Sequence, residues 1–349
     1  MASKKRRVLT LSILVVLLIG SALLASALGA VSISPLDIAR MSLDKLPFIH
    51  LEPTWPPAHE VIFFQIRLLR VIGGILVGAS LATAGVLFQG LLRNPLADPY
   101  IIGTSSGALF GATLVIIFVP AALSVWGFGI ISVAAFFGAL GAVFIVYRLA
   151  RVGGRTPVVS LILAGFAVGA FFTAITWLVL STSGEFHYKL GTVFDFLVGA
   201  IRVTGWHQIA IASLLILGGI VLARFFTIAL NAFSLGEEGA EYVGVNVERV
   251  KLYILSLGAF LTACAVCLGG LIGFVGLVIP HAMRLVLGPD HRLLLPSAAL
   301  AGASFLTLAD IGARTIFAPT ELRLGILTAL IGAPFFIYLL RRYRKEYAL

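Results

Sequence analysis

Acidic side chains are scarce in this chain: 15 Asp and Glu stand among 349 residues, and charged residues together make up 11%. A soluble domain carries about 25% charged and about 45–50% apolar residues, whereas here 60% are hydrophobic and the mean hydropathy is +1.09. So few charges cannot cover a particle of this size in water, which excludes cytosolic enzymes, secreted scaffolds and disordered tails. Cysteine is nearly absent. Cys264 and Cys267, the two in the chain, lie inside an apolar run, which leaves no disulfide framework. With no His before His281 in that stretch, the pair reads as packing rather than metal binding. No Gly-Lys dipeptide occurs, so the Gly-x-x-x-x-Gly-Lys-Ser/Thr loop that cradles ATP is missing, and energy for any pumping has to come from elsewhere. The formal charge of +10 does not mark a nucleic-acid face, because the bases are spread along the chain at the ends of apolar segments.

What is present is a series of long apolar runs. A bilayer core takes about 20 apolar residues per helix. Read between charges, the chain holds about ten spans: 8–36, 71–92, two within 99–147 divided near Pro120 and Trp126-Gly127, 156–184, 203–223, 252–280, a short one over 276–288, 293–309 and 324–340. The stretch from Gly269 to Gly276 is too glycine-rich for plain helix. The first run follows Lys4-Lys5-Arg6-Arg7 and contains Ala25-Ser26-Ala27, pieces of a cleaved leader, but it exceeds the roughly 7–15 apolar residues of one and is expected to stay as a span. With an even count and the N-terminus inside, most of the 25 Lys and Arg, including Arg341-Arg342-Tyr343-Arg344-Lys345, fall on one side. Both termini are therefore expected in the cytoplasm. The chain reads as an all-α membrane protein with one transmembrane domain over 1–349.

Several groups of residues stand out from this apolar ground. The excursion from Ser234 to Arg249 carries Glu237, Glu238, Glu241 and Glu248 on the side where bases otherwise collect, which suits a partner dock or a solvated loop. Arg67, Arg70 and Arg314 fall where spans meet the outside. Long arginines there either snorkel or capture carboxylates bidentately. Gly165, Gly169, Thr173 and Thr176 recur at helical steps beside Phe166 and Phe172, a small-residue face of the kind that packs helices closely. Asn94-Pro95 and Asp98-Pro99 end the second helix, because a residue before proline is pushed out of the α region, and Asp98 is placed to accept from the freed amides of the next helix. His281, after Pro280, shares a helical face with Arg284. A lone histidine beside arginine is a poor cation site, so packing is expected and no metal is assigned.

The runs Arg67-Leu68-Leu69-Arg70, Gln89-Gly90-Leu91-Leu92-Arg93-Asn94-Pro95-Leu96-Ala97-Asp98-Pro99 and Gly103-Thr104-Ser105-Ser106-Gly107-Ala108 resemble the permease family of iron-chelate and vitamin B12 ABC importers. So, in family order, do Gly273-Phe274-Val275-Gly276 through Pro280-His281, Asp290-His291-Arg292, Ala309-Asp310-Ile311-Gly312-Ala313-Arg314, Glu321-Leu322-Arg323 and Gly332-Ala333-Pro334-Phe335. The resemblance runs from about Arg67 to Arg341. It implies a type II ABC importer permease fold acting as a homodimer in a bacterial or archaeal inner membrane, with no catalytic residue and no cofactor of its own.

The same resemblance implies roles. Two cytoplasmic ATPase subunits would dock on a coupling helix within 235–248, at Glu237, Glu238, Ala240, Glu241 and Gly244. A periplasmic or lipid-anchored binding protein would deliver cargo and present acids to Arg67, Arg70 and Arg314. Phe166, Gly169, Phe172, Thr173 and Thr176 would line the pathway, and Val158 and Val159 would form a cytoplasmic gate. The implied cargo is an iron(III) siderophore or haem, with cobalamin the alternative. A rival of another class, an ion-coupled secondary transporter, would need buried ionisable residues, and Asp310 is the acid nearest a span interior.

Overall fold

The computed structural model describes residues 4–29, 31–46, 49–119, 124–125, 128–184 and 186–343. Pro120, Trp126, Gly127, Arg344 and Lys345 lie outside the described residues. In chain order the elements are α1 (Lys4–Ala27), α2 (Pro35–Asp44), α3 (Pro57–Val61), a π-helical turn (Ile62–Arg67), α4 (Leu68–Leu91), α5 (Thr104–Phe118), the hairpin β1 (Ser124–Val125) and β2 (Phe128–Gly129), α6 (Ile130–Ala150), α7 (Val158–Thr182), α8 (Phe186–Leu197), α9 (Trp206–Phe225), α10 (Thr227–Phe233), α11 (Glu237–Tyr242), α12 (Val247–Gly269), α13 (Val275–Leu287), α14 (His291–Thr315) and α15 (Leu324–Tyr343). Among the described residues, α1, the continuous α3–α4 rod, α6, α7, α9, α12 and α14 are long and apolar enough to cross a bilayer, and α5, α13 and α15 are shorter apolar helices. These elements match the expected spans, with α1 ending at Ala27 rather than near residue 36.

The bundle is organised around α4. Every residue from Leu76 to Leu91 is buried, as expected of a helix apolar all round its circumference. Lipid supplies no hydrophobic drive between helices, so close contact depends on small residues. A Cβ on Gly78 would overlap the Gly302 carbonyl of α14, and one on Gly85 would overlap the Gly276 carbonyl of α13. The same device joins α5 to α6, where Gly107 faces Gly138.

The glycine-rich stretch behaves as its composition predicts. α12 stops at Gly269, Gly270 takes φ 65°, and α13 begins only after Phe274 at φ 69°. Irregular backbone at membrane depth is tolerated only where protein satisfies it, and here α8 and the segment after it do so. Leu271 N donates to Phe196 O at 3.1 Å, while the amides of Ala200 and Arg202 donate to Gly269 O and Leu268 O at 2.8 and 2.9 Å.

Two opposite ends result. α14 runs from His291 to Thr315, about 37 Å at 1.5 Å per residue. Its start lies with α10, which leads into α11, and its finish lies with the end of α1 and the start of α4.

Candidate functional site

At the α11 end, Gly236 (φ 94°) breaks the chain away from α10, and Gly244 (φ 86°) turns it back toward α12. Between them α11 is anchored by Ala240, which is fully buried, and closed by the Val245 amide donating to Ala240 O at 3.0 Å. Its other face is open. Tyr242 is 90% exposed, Leu235 and Val243 are exposed beside it, and Glu238, Glu241 and Gly244 are also exposed while Glu237 is half-buried. Apolar side chains are thus exposed together on an otherwise polar elbow.

Beneath α11 lies a residue that the sequence did not single out. Lys251, in the second turn of α12, donates from Nζ to Glu237 Oε2 at 2.7 Å, Glu248 Oε1 at 3.0 Å and the Thr156 carbonyl at 2.9 Å. Nearby, Asn231 of α10 donates to Asp290 Oδ1 at 2.9 Å and receives the His291 amide at 2.9 Å. Asp290 also caps α14 by accepting from Arg292 N at 3.0 Å and stands 3.6 Å from Arg7 of α1. Burial would raise the Asp290 carboxyl, but the donors from Asn231 and Arg292 and the charge of Arg7 hold it below the usual range.

The connection into α7 is a tight turn, with Val152 N donating to Arg155 O at 2.9 Å and positive φ at Gly153 and Gly154. Of the two expected gate valines, Val158 packs on the core and Val159 is 67% exposed. Val159, Leu163 and Phe166, the last 77% exposed, form one open strip of α7. The other expected pathway residues turn elsewhere. Gly169 sits beside Ser106 Oγ, Phe172 stacks on Phe110 with centroids 5.1 Å apart, Thr173 is half-buried, and Thr176 is buried with its hydroxyl donating to Phe172 O at 2.7 Å. Gly169 and Phe172 thus face α5, and Phe166 faces out of the subunit.

At the opposite end, the three arginines are placed differently from a free outer rim. Arg67 is buried, with Nη1 donating to Ser26 O at 3.1 Å and Ala27 O at 2.9 Å and Nη2 donating to Val31 O. Arg314, also buried, donates to Ala25 O at 3.1 Å and Leu28 O at 3.3 Å. Both guanidiniums therefore cap the carbonyls left unpaired where α1 ends. Asp310 lies between the arginines, 2.9 Å from Arg314 and 3.0 Å from Arg70. Arg70 reaches further to Glu321 at 2.8 Å and keeps 18% of its side chain exposed.

The motif after α4 forms a corner. Asn94 Oδ1 accepts from Leu96 N at 2.9 Å and Asp98 Oδ1 from Tyr100 N at 2.8 Å. Gln89 Nε2 donates to Leu277 O at 3.1 Å, and Pro99 lies against Gly276. Crowding by surrounding protein pushes the Asp98 carboxyl up to about 6, more than the Tyr100 amide lowers it. Pro95 is half-buried in the same turn. Pro280 and His281 are buried in α13, and the His281 ring meets Phe335 edge-on at 6.5 Å. Beside the corner, a cavity of about 710 Å³ is lined by Tyr100, Leu271, Phe274, Ala329, Ala333 and Ile337 among others, none of them charged.

The sequence profile of the FecCD transport family matches residues 14–342. The cobalamin import system permease protein BtuC of Halobacterium salinarum is 44% identical over 288 residues, covering 82% of this chain and 75% of that protein. The hemin transport system permease protein HmuU of Yersinia pestis is 38% identical over 341 residues, covering 97% of each. In three dimensions the chain superposes on an inward-facing metal-chelate type ABC transporter with a TM-score of 0.81 at 31% identity, covering 95% of this chain and 98% of that one.

Proposed function

The chain belongs to the FecCD transport family, and from that membership we propose how this multi-span permease of an ABC importer works and what it carries. Two copies form the conduit, with both termini and α11 on the cytoplasmic side. An ATPase subunit grips α11 of each copy, and alternating access at the dimer centre moves a metal chelate inward. The observation that carries the reading is α11 itself, a short elbow with a buried Ala240 root and an exposed face of Leu235, Tyr242 and Val243. The open α7 strip of Val159, Leu163 and Phe166 suits contact with a second copy, whose matching valines would close the gate by excluding water. Of the arginines, Arg70 is the one suited to meet a binding protein's acids, because its Glu321 partner is an exposed carboxylate that a docking acid can replace. Arg67 and Arg314 hold the platform beneath it.

Cargo is a bulky chelate rather than a bare ion. The open, uncharged α7 strip of Val159, Leu163 and Phe166 suits such a complex, whereas a bare ion would need carboxylates or carbonyl rings. An iron siderophore or haem is the leading cargo, supported by the similarity to the hemin permease over nearly all of both chains. Cobalamin is the alternative, favoured by the higher identity to the Halobacterium relative. Uptake by membranes carrying the complete importer, with labelled haemin, a ferric hydroxamate and cobalamin each competing with the others, separates these. For the dock, Tyr242→Ala should weaken ATPase binding by roughly 2 kcal/mol, about thirtyfold in Kd. Unchanged affinity in nanodiscs would remove α11 as the contact.

A further inference from the structure

We propose that Lys251 is a positioning residue that ties α11 to the start of α7, so that displacement of α11 is carried to the segment of Val158 and Val159. This rests on the reading of α11 as the ATPase contact.

An ammonium has three donors, and the three acceptors around Lys251 Nζ belong to three different segments: Glu237 of α11, Glu248 of the first turn of α12, and the backbone carbonyl of Thr156 in the α6–α7 connection. Lys251 is 3% exposed. A buried ammonium is costly to strand, so the three segments cannot separate without a large penalty. Thr156 is two residues ahead of Val158, the first residue of α7, and Pro157 stands between them with its φ at −62°. A proline there fixes φ, which makes the link from the Thr156 carbonyl to the helix start short and stiff. The two carboxylates are not equivalent. Glu248, three residues from Lys251 on the same helix, also lies against Thr156 and so joins α12 to the α7 side of the cluster. Glu237 alone of the two crosses from α11.

The test uses the full permease assembled with its ATPase subunit in nanodiscs, with Cys264 and Cys267 replaced by alanine and Val159→Cys as the reporter. Alkylation of that cysteine by a membrane-impermeant maleimide is timed without nucleotide and with Mg-ATP and vanadate. In the parent the rate should differ at least about fivefold between the two conditions, the lower end of ordinary coupling between sites, and in Lys251→Met the difference should shrink below about twofold. Glu237→Gln should shrink it likewise. A full nucleotide-dependent change in Lys251→Met overturns the inference. Should Lys251→Met fail to assemble, a full nucleotide-dependent change in an assembled Glu237→Gln permease overturns the inference, since Glu237 is the carboxylate of the cluster that belongs to α11. If the parent binds the ATPase yet shows no nucleotide-dependent change, the coupling reading fails and the tether falls with it.

Discussion

Asp310 holds two arginines at once, and its removal would leave the buried Arg314 guanidinium without its paired carboxylate. Breaking a buried pair from one side costs about 3–5 kcal/mol, so Asp310→Asn should lower the unfolding midpoint in detergent sharply. Arg323→Ala, at the half-exposed pair with Asp195, should cost within about 1 kcal/mol. Asp98 makes a prediction with a sign. Its carboxyl titrates at about 6 in the folded chain against an ordinary 3.8, so between these values the folded state keeps a proton that the unfolded state has lost. Unfolding free energy should fall by about 2–3 kcal/mol as pH rises through that window and level off above it. Asp98→Asn keeps an oxygen for the Tyr100 amide and should abolish the slope, measured as the difference between the two proteins' denaturation midpoints across the window. A slope shared by both would assign it to other groups. The sequence marked Arg67 and Arg314 by charge and position. It could not show that between them they reach the backbone carbonyls of Ala25, Ser26, Ala27, Leu28 and Val31, because the first apolar run gave no sign that α1 stops there.

Helix contacts make sharper demands than helix existence. Gly85 faces the Gly276 carbonyl with no room for a methyl, whereas nothing lies within 4 Å of a Cβ on Gly20. Gly85→Ala should therefore cost about 3 kcal/mol by forcing α4 off α13, and Gly20→Ala should be neutral or stabilising by less than about 1 kcal/mol. Thermal midpoints of the two variants in one detergent check the contrast, and similar midpoints would mean that α4 and α13 are not in close contact. The apolar spans were legible because bilayer thickness imposes their length. The break after Gly269 was legible too, since glycine density marks backbone that helix cannot hold. α8 escaped notice because 186–197 is short and mixes Lys189 and Asp195 with apolar residues, a pattern shared with a polar outer loop. α11 is visible as an acidic excursion, but Lys251 reads in the sequence as one more base among many, since three acceptors drawn from three segments leave no spacing to read.

For the assembled importer, the family fixes the class of machine while cargo, orientation and pairing depend on surfaces that a single subunit leaves open. The α7 strip and the α11 elbow are two such surfaces, and under the proposed function one meets a second copy and the other a nucleotide-hydrolysing subunit. The most direct measurement is uptake of labelled haemin into proteoliposomes containing the permease, with its ATPase and binding protein supplied separately. Uptake should require all three proteins together with ATP inside the vesicle, and should persist when ion gradients are collapsed. Accumulation by the permease alone, or accumulation that follows an ion gradient and ignores ATP, would contradict the account.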